Sequence, residues 1–291
     1  MNSTKLRVYY RLAKPGIIYG NLLTAAAAFA FAVHNQTHAP LSTGLLLLFA
    51  ATMIGLGLSI AAGCVVNNVI ERDIDARMER TKNRALPLKE ITVKAALVYA
   101  CLLGIAGFAT LYFFTNTYAL LATLFGVVVY IAVYTPSKQL TAHSTILGAF
   151  AGAVPPVVGY VAVTPALDAN VLLLFLILMC WQMPHFFAIS LYRTDEYRNA
   201  GLPVMPLRIG RFMTQVLMTL HAVLFAIAIF IFGILNQLSF FYFIPMAAVS
   251  LMWIFFSLAG FWAKDTARWA RRTFLFSLIV LLLFSAVLAL V

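Results

Sequence analysis

The sequence predicts an all-α integral membrane protein of nine transmembrane helices, and three observations predict it. Of the 291 residues, 63% are hydrophobic and only 10% are charged, against about 25% charged in an ordinary globular chain. Nine apolar runs have about the 20 residues needed to cross a hydrocarbon core roughly 30 Å thick. Backbone groups in lipid must be satisfied within each segment, so these runs read as helices and not as barrel strands. The third observation is one-sidedness. All 20 Lys and Arg fall on one side: in the N-terminal segment, or in the connections after runs two, four, six and eight, with Lys94 just past the first of these connections, at the start of run three. The loops around Asn35, Asn116, Asp168 and Asn236 contain none. Cations in short loops mark the cytoplasmic side, which places the N-terminus in the cytoplasm and the C-terminus outside. The formal charge of +11 therefore reads as topology and attraction to anionic headgroups or an anionic substrate, with no nucleic-acid partner.

Run one, 15 to 33, follows the basic opening MNSTKLRVYYRLAK without a small-residue cleavage pattern. This predicts a retained helix in a bacterial inner membrane. Run two, 43 to 66, stops at the charged stretch NNVIERDIDARMERTKNR, 67 to 84. Runs three and four, 93 to 114 and 118 to 134, precede the short loop YTPSKQ with Lys138. Run five, 145 to 163, carries GAFAGAVPPVVGY. Its small residues let helices approach closely, and Pro155 with Pro156 predicts a kink. Run six, 170 to 191, contains WQMPHF, and runs seven to nine follow at 213 to 234, 240 to 262 and 273 to 291. The nine runs make residues 1 to 291 one membrane domain. Cys64, Cys101 and Cys180 all lie in apolar runs and form no CxxC pair, so they read as small packing residues.

On a helix, Asn68, Glu71 and Asp75 fall within about 60° of one another, while Asp73 points away. An amide and two carboxylates at a helix mouth are hard oxygen donors suited to Mg²⁺, which keeps waters and shares its shell with substrate phosphates. Arg80, Lys82 and Arg84 supply donors for phosphate oxygens. The same residues also fit an ordinary loop of mutually neutralising charges, and spacing alone does not separate the two readings. A second loop, YRTDEYRNAGLPVMP at 192 to 206, brings Arg193, Asp195, Glu196 and Arg198 to the same side. Of the nine acids, only Asp168 and Asp265 lie outside these two stretches and their flank to Glu90. Two such loops can close over one site, where Mg²⁺ grips a diphosphate and stabilises it as a leaving group.

The stretches KPGIIYGNLLT (14 to 24), GCVVNNVIERDIDARMERTKNRALP (63 to 87), AGAVPPVVGY (151 to 160), WQMPHFFAISLYR (181 to 193) and GLPVMP (201 to 206) resemble, in this order, the UbiA-type intramembrane prenyltransferases. The first signature of that family is NxxxDxxxD. WQMPHF and ERTKNR are more specific, and resemble the protohaem IX farnesyltransferases, or haem O synthases. The resemblance implies a UbiA-type bundle of nine helices and transfer of a farnesyl group from farnesyl diphosphate to a vinyl group of haem B. Water addition then gives haem O, a step towards haem A for terminal oxidases. It implies Asn68, Glu71, Asp75 and Glu196 as catalytic residues, with Asp195 joining those four around Mg²⁺. Arg80, Lys82, Arg84, Lys138 and Arg193 become diphosphate contacts, and haem B is a substrate, not a cofactor. Membrane lipid, haem A synthase and terminal-oxidase assembly are the implied partners. Two departures stand: Glu71 replaces the usual Asp, and the second loop lacks a full DxxxD.

His185, Trp181, Gln182 and His143 are the candidate haem contacts. His185 suits either an axial contact to iron or a hydrogen bond that orders a helix break near Pro184. His143 suits either a propionate or water, and Trp181 and Gln182 either a porphyrin wall or helix packing. His34 and His38 read as solvated and His221 as packing. Three rivals predict other features. A secondary transporter places coupling carboxylates near the bilayer midplane, and no Asp or Glu falls inside any predicted run. A UbiA-type transferase acting on a quinone precursor would share the acid motif. An assembly factor that has lost catalysis would have decayed motifs.

Overall fold

A computed structural model describes residues 3–37, 40 and 42–291. His38 lies outside the described residues. Among the described residues there are thirteen α-helices and no strand, and nine helical stretches are long and apolar enough to cross a membrane.

A surface helix α1 (Ser3–Leu12) leads through a left-handed Lys14 to α2 (Pro15–Phe31), which ends in a π-helical turn, Ala32–Thr37. Lys14 precedes proline, which disfavours α-helical backbone at that residue, so the chain breaks there and Pro15 opens the new helix. α3 (Thr43–Asp75) is capped by Ser42, whose Oγ accepts from the Leu45 amide at 3.2 Å. α4 (Val93–Phe114) follows, and span four is α5 (Thr117–Val128), a π-helical turn (Val129–Tyr134) and α6 (Thr135–Leu140). Span five is α7 (Ser144–Gly152) and α8 (Val154–Val163). Then come α9 (Ala169–Tyr192), the short α10 (Thr194–Asn199), α11 (Met205–Leu235), α12 (Phe240–Leu258) and α13 (Thr266–Leu290).

Several boundaries differ from the sequence reading, and the ones that bear on the site are these. Run two was read to end at 66, but α3 continues to Asp75. Its polar residues Asn67, Asn68, Glu71 and Asp75 are buried against partners, so loss of hydropathy does not end the helix. At 1.5 Å per residue this rod is about 50 Å long, some 20 Å more than a hydrocarbon core. The acid motif therefore stands on the same rigid element as span two. Span seven starts at Met205, not 213, with a break at Gly210, whose φ of 78° only glycine adopts freely. α9 runs unbroken through Pro184, so there is no helix break there for His185 to order. The break in span five falls at Ala153, and Pro155 and Pro156 sit in the first turn of α8, where a missing N–H is harmless.

The core packs α2, α8, α9, α11, α12 and α13 around Phe31, Tyr160, Phe225, Phe232 and Trp253. α2 and α8 touch backbone to backbone: a Cβ on Gly159 would lie 1.9 Å from the Ala25 carbonyl oxygen. At the end opposite the basic loops, Tyr160 Oη donates to Asp168 at 2.6 Å and accepts from Asn170 at 3.1 Å. Asn236 donates to Asn170 at 2.7 Å and accepts from Gln36 at 3.0 Å. This network ties spans one, five, six and seven together at the end away from the charged loops.

Candidate active site

The acid motif occupies the last three turns of α3. Asn67, Glu71 and Asp75 succeed one another at intervals of four and form a stripe along the rod. Each meets one cation from a different element. Lys14, at the α1–α2 turn, donates to Asn67 Oδ1. Lys138, on α6, lies 2.6 Å from Glu71 Oε1. Arg84, on the loop after α3, donates to Asp75 Oδ2 at 2.7 Å and to Asn68 Oδ1 at 3.3 Å. Asn68 sits beside the stripe and donates to the Leu12 carbonyl at 2.7 Å, which fixes α1 against α3.

The irregular end of span four aims its side chains at this stripe. π-helical turns recur at functional sites because the extra residue turns the following side chains. Thr135, just after the turn, accepts from Asn67 Nδ2 at 2.9 Å and donates to the Tyr130 carbonyl at 2.7 Å. The Tyr134 ring lies 4.5 Å under Lys138 Nζ, a cation–π contact. Gly148 gives that ring room, since a Cβ there would lie 2.6 Å from it.

The two acid-bearing loops meet. Glu196 Oε1 accepts the Arg80 backbone amide at 3.1 Å, and Oε2 accepts Arg193 at 2.7 Å. Ile74 and Met78 pack on Ala200 beneath this bridge, with Tyr197 and Leu202 alongside. Burial alone would raise the Glu196 carboxyl, yet the Arg193 and Arg80 bonds hold it below the usual carboxylate range.

Several predicted residues stand apart from the stripe. Asp195 is 86% exposed and pairs with Arg198, so Asp195 does not converge with Glu71 and Asp75. Asp73 faces solvent beside Arg72. Lys82 pairs with Glu79 at 2.6 Å on the exposed side of the loop, and the Arg80 side chain is exposed beside it. His143 and His34 are exposed. His221 bonds the Leu217 carbonyl at 2.8 Å.

Trp181 and His185 stack with ring centroids 4.9 Å apart, and both engage Ser277 of α13. The indole donates to the Ser277 carbonyl at 2.9 Å, and His185 Nδ1 meets Ser277 Oγ at 2.6 Å. Ser277 Oγ donates its own hydrogen to the Phe274 carbonyl. The ring's other nitrogen, Nε2, has no hydrogen-bond partner among the described residues. Gln182 is buried, with its amide nitrogen bonded to the Leu178 and Ala149 carbonyls at 3.0 and 3.3 Å.

The sequence reading did not name Asn67 or Lys14, which the structure places at the stripe. NxxxDxxxD, counted back from Asp75 through Glu71, falls on Asn67 and not Asn68, so the signature's own spacing carried that signal. Lys14 was read as part of the basic topology signal and, in KPGIIYGNLLT, of the family resemblance, with no role of its own.

The donor set fits a hard divalent cation. Its members are oxygens, and Glu71 Oε1 is buried with no hydrogen-bond donor besides the Lys138 ion contact. Among the described residues no three His, Cys, Asp or Glu side chains converge. The protein offers two carboxylates and leaves the remaining positions to water and substrate, as Mg²⁺ sites with phosphate ligands do.

Lys14 carries a pH signature. Burial first, then the Arg84 and Lys138 charges, pulls its pKa from 10.5 down to about 8. The unfolded lysine keeps its proton to the higher value, so folding releases a proton between the two and stability rises with pH through that window. Between pH 7 and 9 the gain is about 1 kcal/mol. Thermal unfolding of the protein and of Lys14→Met at both pH values is the check, and the variant should lose that part of the rise.

Stacked oxygens and cations at one end of a helical membrane bundle suit an anionic group held at the edge of an apolar phase. The UbiA prenyltransferase family model matches residues 21–279, and the chain belongs to that family. It is 42% identical over 284 residues to the protoheme IX farnesyltransferase of Acinetobacter baumannii, covering 96% of this chain and 94% of the relative. A digeranylgeranylglyceryl phosphate synthase structure superposes with a TM-score of 0.77 at 17% identity, covering 98% of each chain. A UbiA homolog from Archaeoglobus fulgidus bound to DMAPP and Mg²⁺ superposes at 0.66 and 16% identity, covering 97% of this chain and 99% of that one.

Proposed function

We propose that the chain transfers the farnesyl group of farnesyl diphosphate to a vinyl group of haem B and, with addition of water, releases haem O and diphosphate. The observation that carries this reading is the 42% identity, over 96% of the chain, to a protein named protoheme IX farnesyltransferase. The site's chemistry agrees with it.

Glu71 and Asp75 are the carboxylates that would hold Mg²⁺, with Asn67 or Asn68 supplying an amide oxygen. When bound, the ion neutralises diphosphate charge and eases its departure. Arg84 and Lys138 stand beside those carboxylates and bind the diphosphate oxygens, while Arg193 holds Glu196 across the two loops. The bond from the farnesyl C1 to oxygen breaks, and the vinyl electrons form the new C–C bond. Water then adds to the cation left on the former vinyl group and gives up a proton. Apolar surroundings between the helices would keep water from the allylic cation before the vinyl attacks. His185 is the proposed axial contact to the haem iron, and Trp181 lies against the His185 ring.

Cationic loops on one side support an inner-membrane protein with this site facing the cytoplasm. The test is a membrane assay with haem B, farnesyl diphosphate and Mg²⁺, read by chromatography and mass. A hydroxyethylfarnesyl haem is expected. Diphosphate release with no new haem would overturn haem B as acceptor and turn the search to aromatic quinone precursors.

A further inference from the structure

The stripe on α3 and its cations form a ladder with one rung per helical turn: Asn67 with Lys14, Glu71 with Lys138, Asp75 with Arg84. The upper two rungs are ion pairs. The lowest, about 6 Å nearer the membrane than Glu71 and about 12 Å nearer than Asp75 at 1.5 Å per residue, sets a cation against a neutral amide. Lys14 pairs with no carboxylate among the described residues. Three cations thus face two carboxylates, and the surplus charge sits at the deep end.

Lys14 is also held in place. Its left-handed backbone, φ 54°, is an unusual state for a long side chain. Asn67 is fixed in turn by Thr135. The ammonium group has three hydrogens and spends one on Asn67. Two donors and one uncompensated charge remain, a combination that calls for an anion.

We infer that Lys14 binds the phosphate attached directly to the prenyl carbon and steadies the oxygen that leaves with it. This rests on the prenyl-donor reading of the same site. The tail must run into the apolar bundle, so the phosphate that carries it lies deepest, on the Lys14 rung. The distal phosphate then faces Lys138 and Arg84.

Farnesyl monophosphate has only the proximal phosphate, which makes it the discriminating probe. Its affinity, and that of an unreactive farnesyl diphosphate analogue, is measured for the purified protein and for Lys14→Gln, which keeps a donor for Asn67 Oδ1. The inference expects both ligands to weaken by a similar factor, about 10- to 100-fold, as for loss of a charged hydrogen-bond partner. Unchanged affinities overturn it, and so does a loss confined to the diphosphate analogue, which would place Lys14 on the distal phosphate. Should Lys14→Gln unfold, Lys14→Arg decides: restored binding supports a charge contact, and weakness equal to that of Gln at normal stability overturns it. Failure of the unaltered chain to bind either ligand sinks the donor reading itself, whereas normal binding that ignores Lys14 sinks only this inference.

Discussion

Asp75→Asn is expected to reduce farnesyl transfer by about 10²- to 10³-fold or more while leaving the chain folded. The size follows from what one charged group aimed at a leaving group contributes to turnover. The folded state is spared for a local reason. Asparagine has the same shape, its amide oxygen still accepts from Arg84, and Arg84 keeps its bond to Asn68 at 3.3 Å. One charge-assisted bond becomes an ordinary one, a change of about 1 kcal/mol. Turnover and thermal unfolding measured on the same preparation separate these quantities. A variant that keeps more than a tenth of its activity would remove Asp75 from the reaction, and one that unfolds would make the residue structural.

What the sequence made legible, and what it hid, follows from the range of each signal. Hydropathy over about 20 residues is a sum over many side chains, so the spans were read nearly to their ends. Where a helix continues because individual polar groups find buried partners, as at Asn67 to Asp75 in α3, the sum falls and the reading stops nine residues short. Gly210 is the converse case, since the helical pattern continues on both sides of a residue whose backbone is not helical. At the candidate site, Glu71, Asp75, Arg84 and Lys138 could be named because acids at helical spacing and cations at a helix mouth are local patterns. Their pairing was not legible. Lys138 reaches Glu71 from another span only because a π-helical turn ends α5, and Tyr130–Tyr134 resembles any other apolar stretch in sequence. Lys14 was hidden most deeply. One basic residue among four at the N-terminus gives no sign that its neighbour Pro15 turns it inward.

The Glu71–Lys138 pair supplies the second large effect, and here stability and activity should part company. Lys138→Met removes the partner of a buried carboxylate whose Oε1 has no other donor. Breaking a buried pair from one side costs about 3 to 5 kcal/mol, because the remaining charge is left without compensation. Glu71→Gln relieves that charge. The double variant Lys138→Met, Glu71→Gln should therefore be more stable than Lys138→Met alone, with a coupling of about 1 to 3 kcal/mol between the two positions. Methionine packs against the Tyr134 ring as a thioether, and a neutral amide replaces the buried anion. Activity follows the opposite rule. The double variant lacks a proposed metal ligand and a proposed diphosphate contact, so it should be as inactive as the worse single variant however stable it becomes. Unfolding in detergent for the four proteins of the cycle, with turnover on each, measures both. If the double variant loses the sum of the two single stabilities, the pair is not coupled. If it recovers activity along with stability, Glu71 and Lys138 serve the fold and not the reaction.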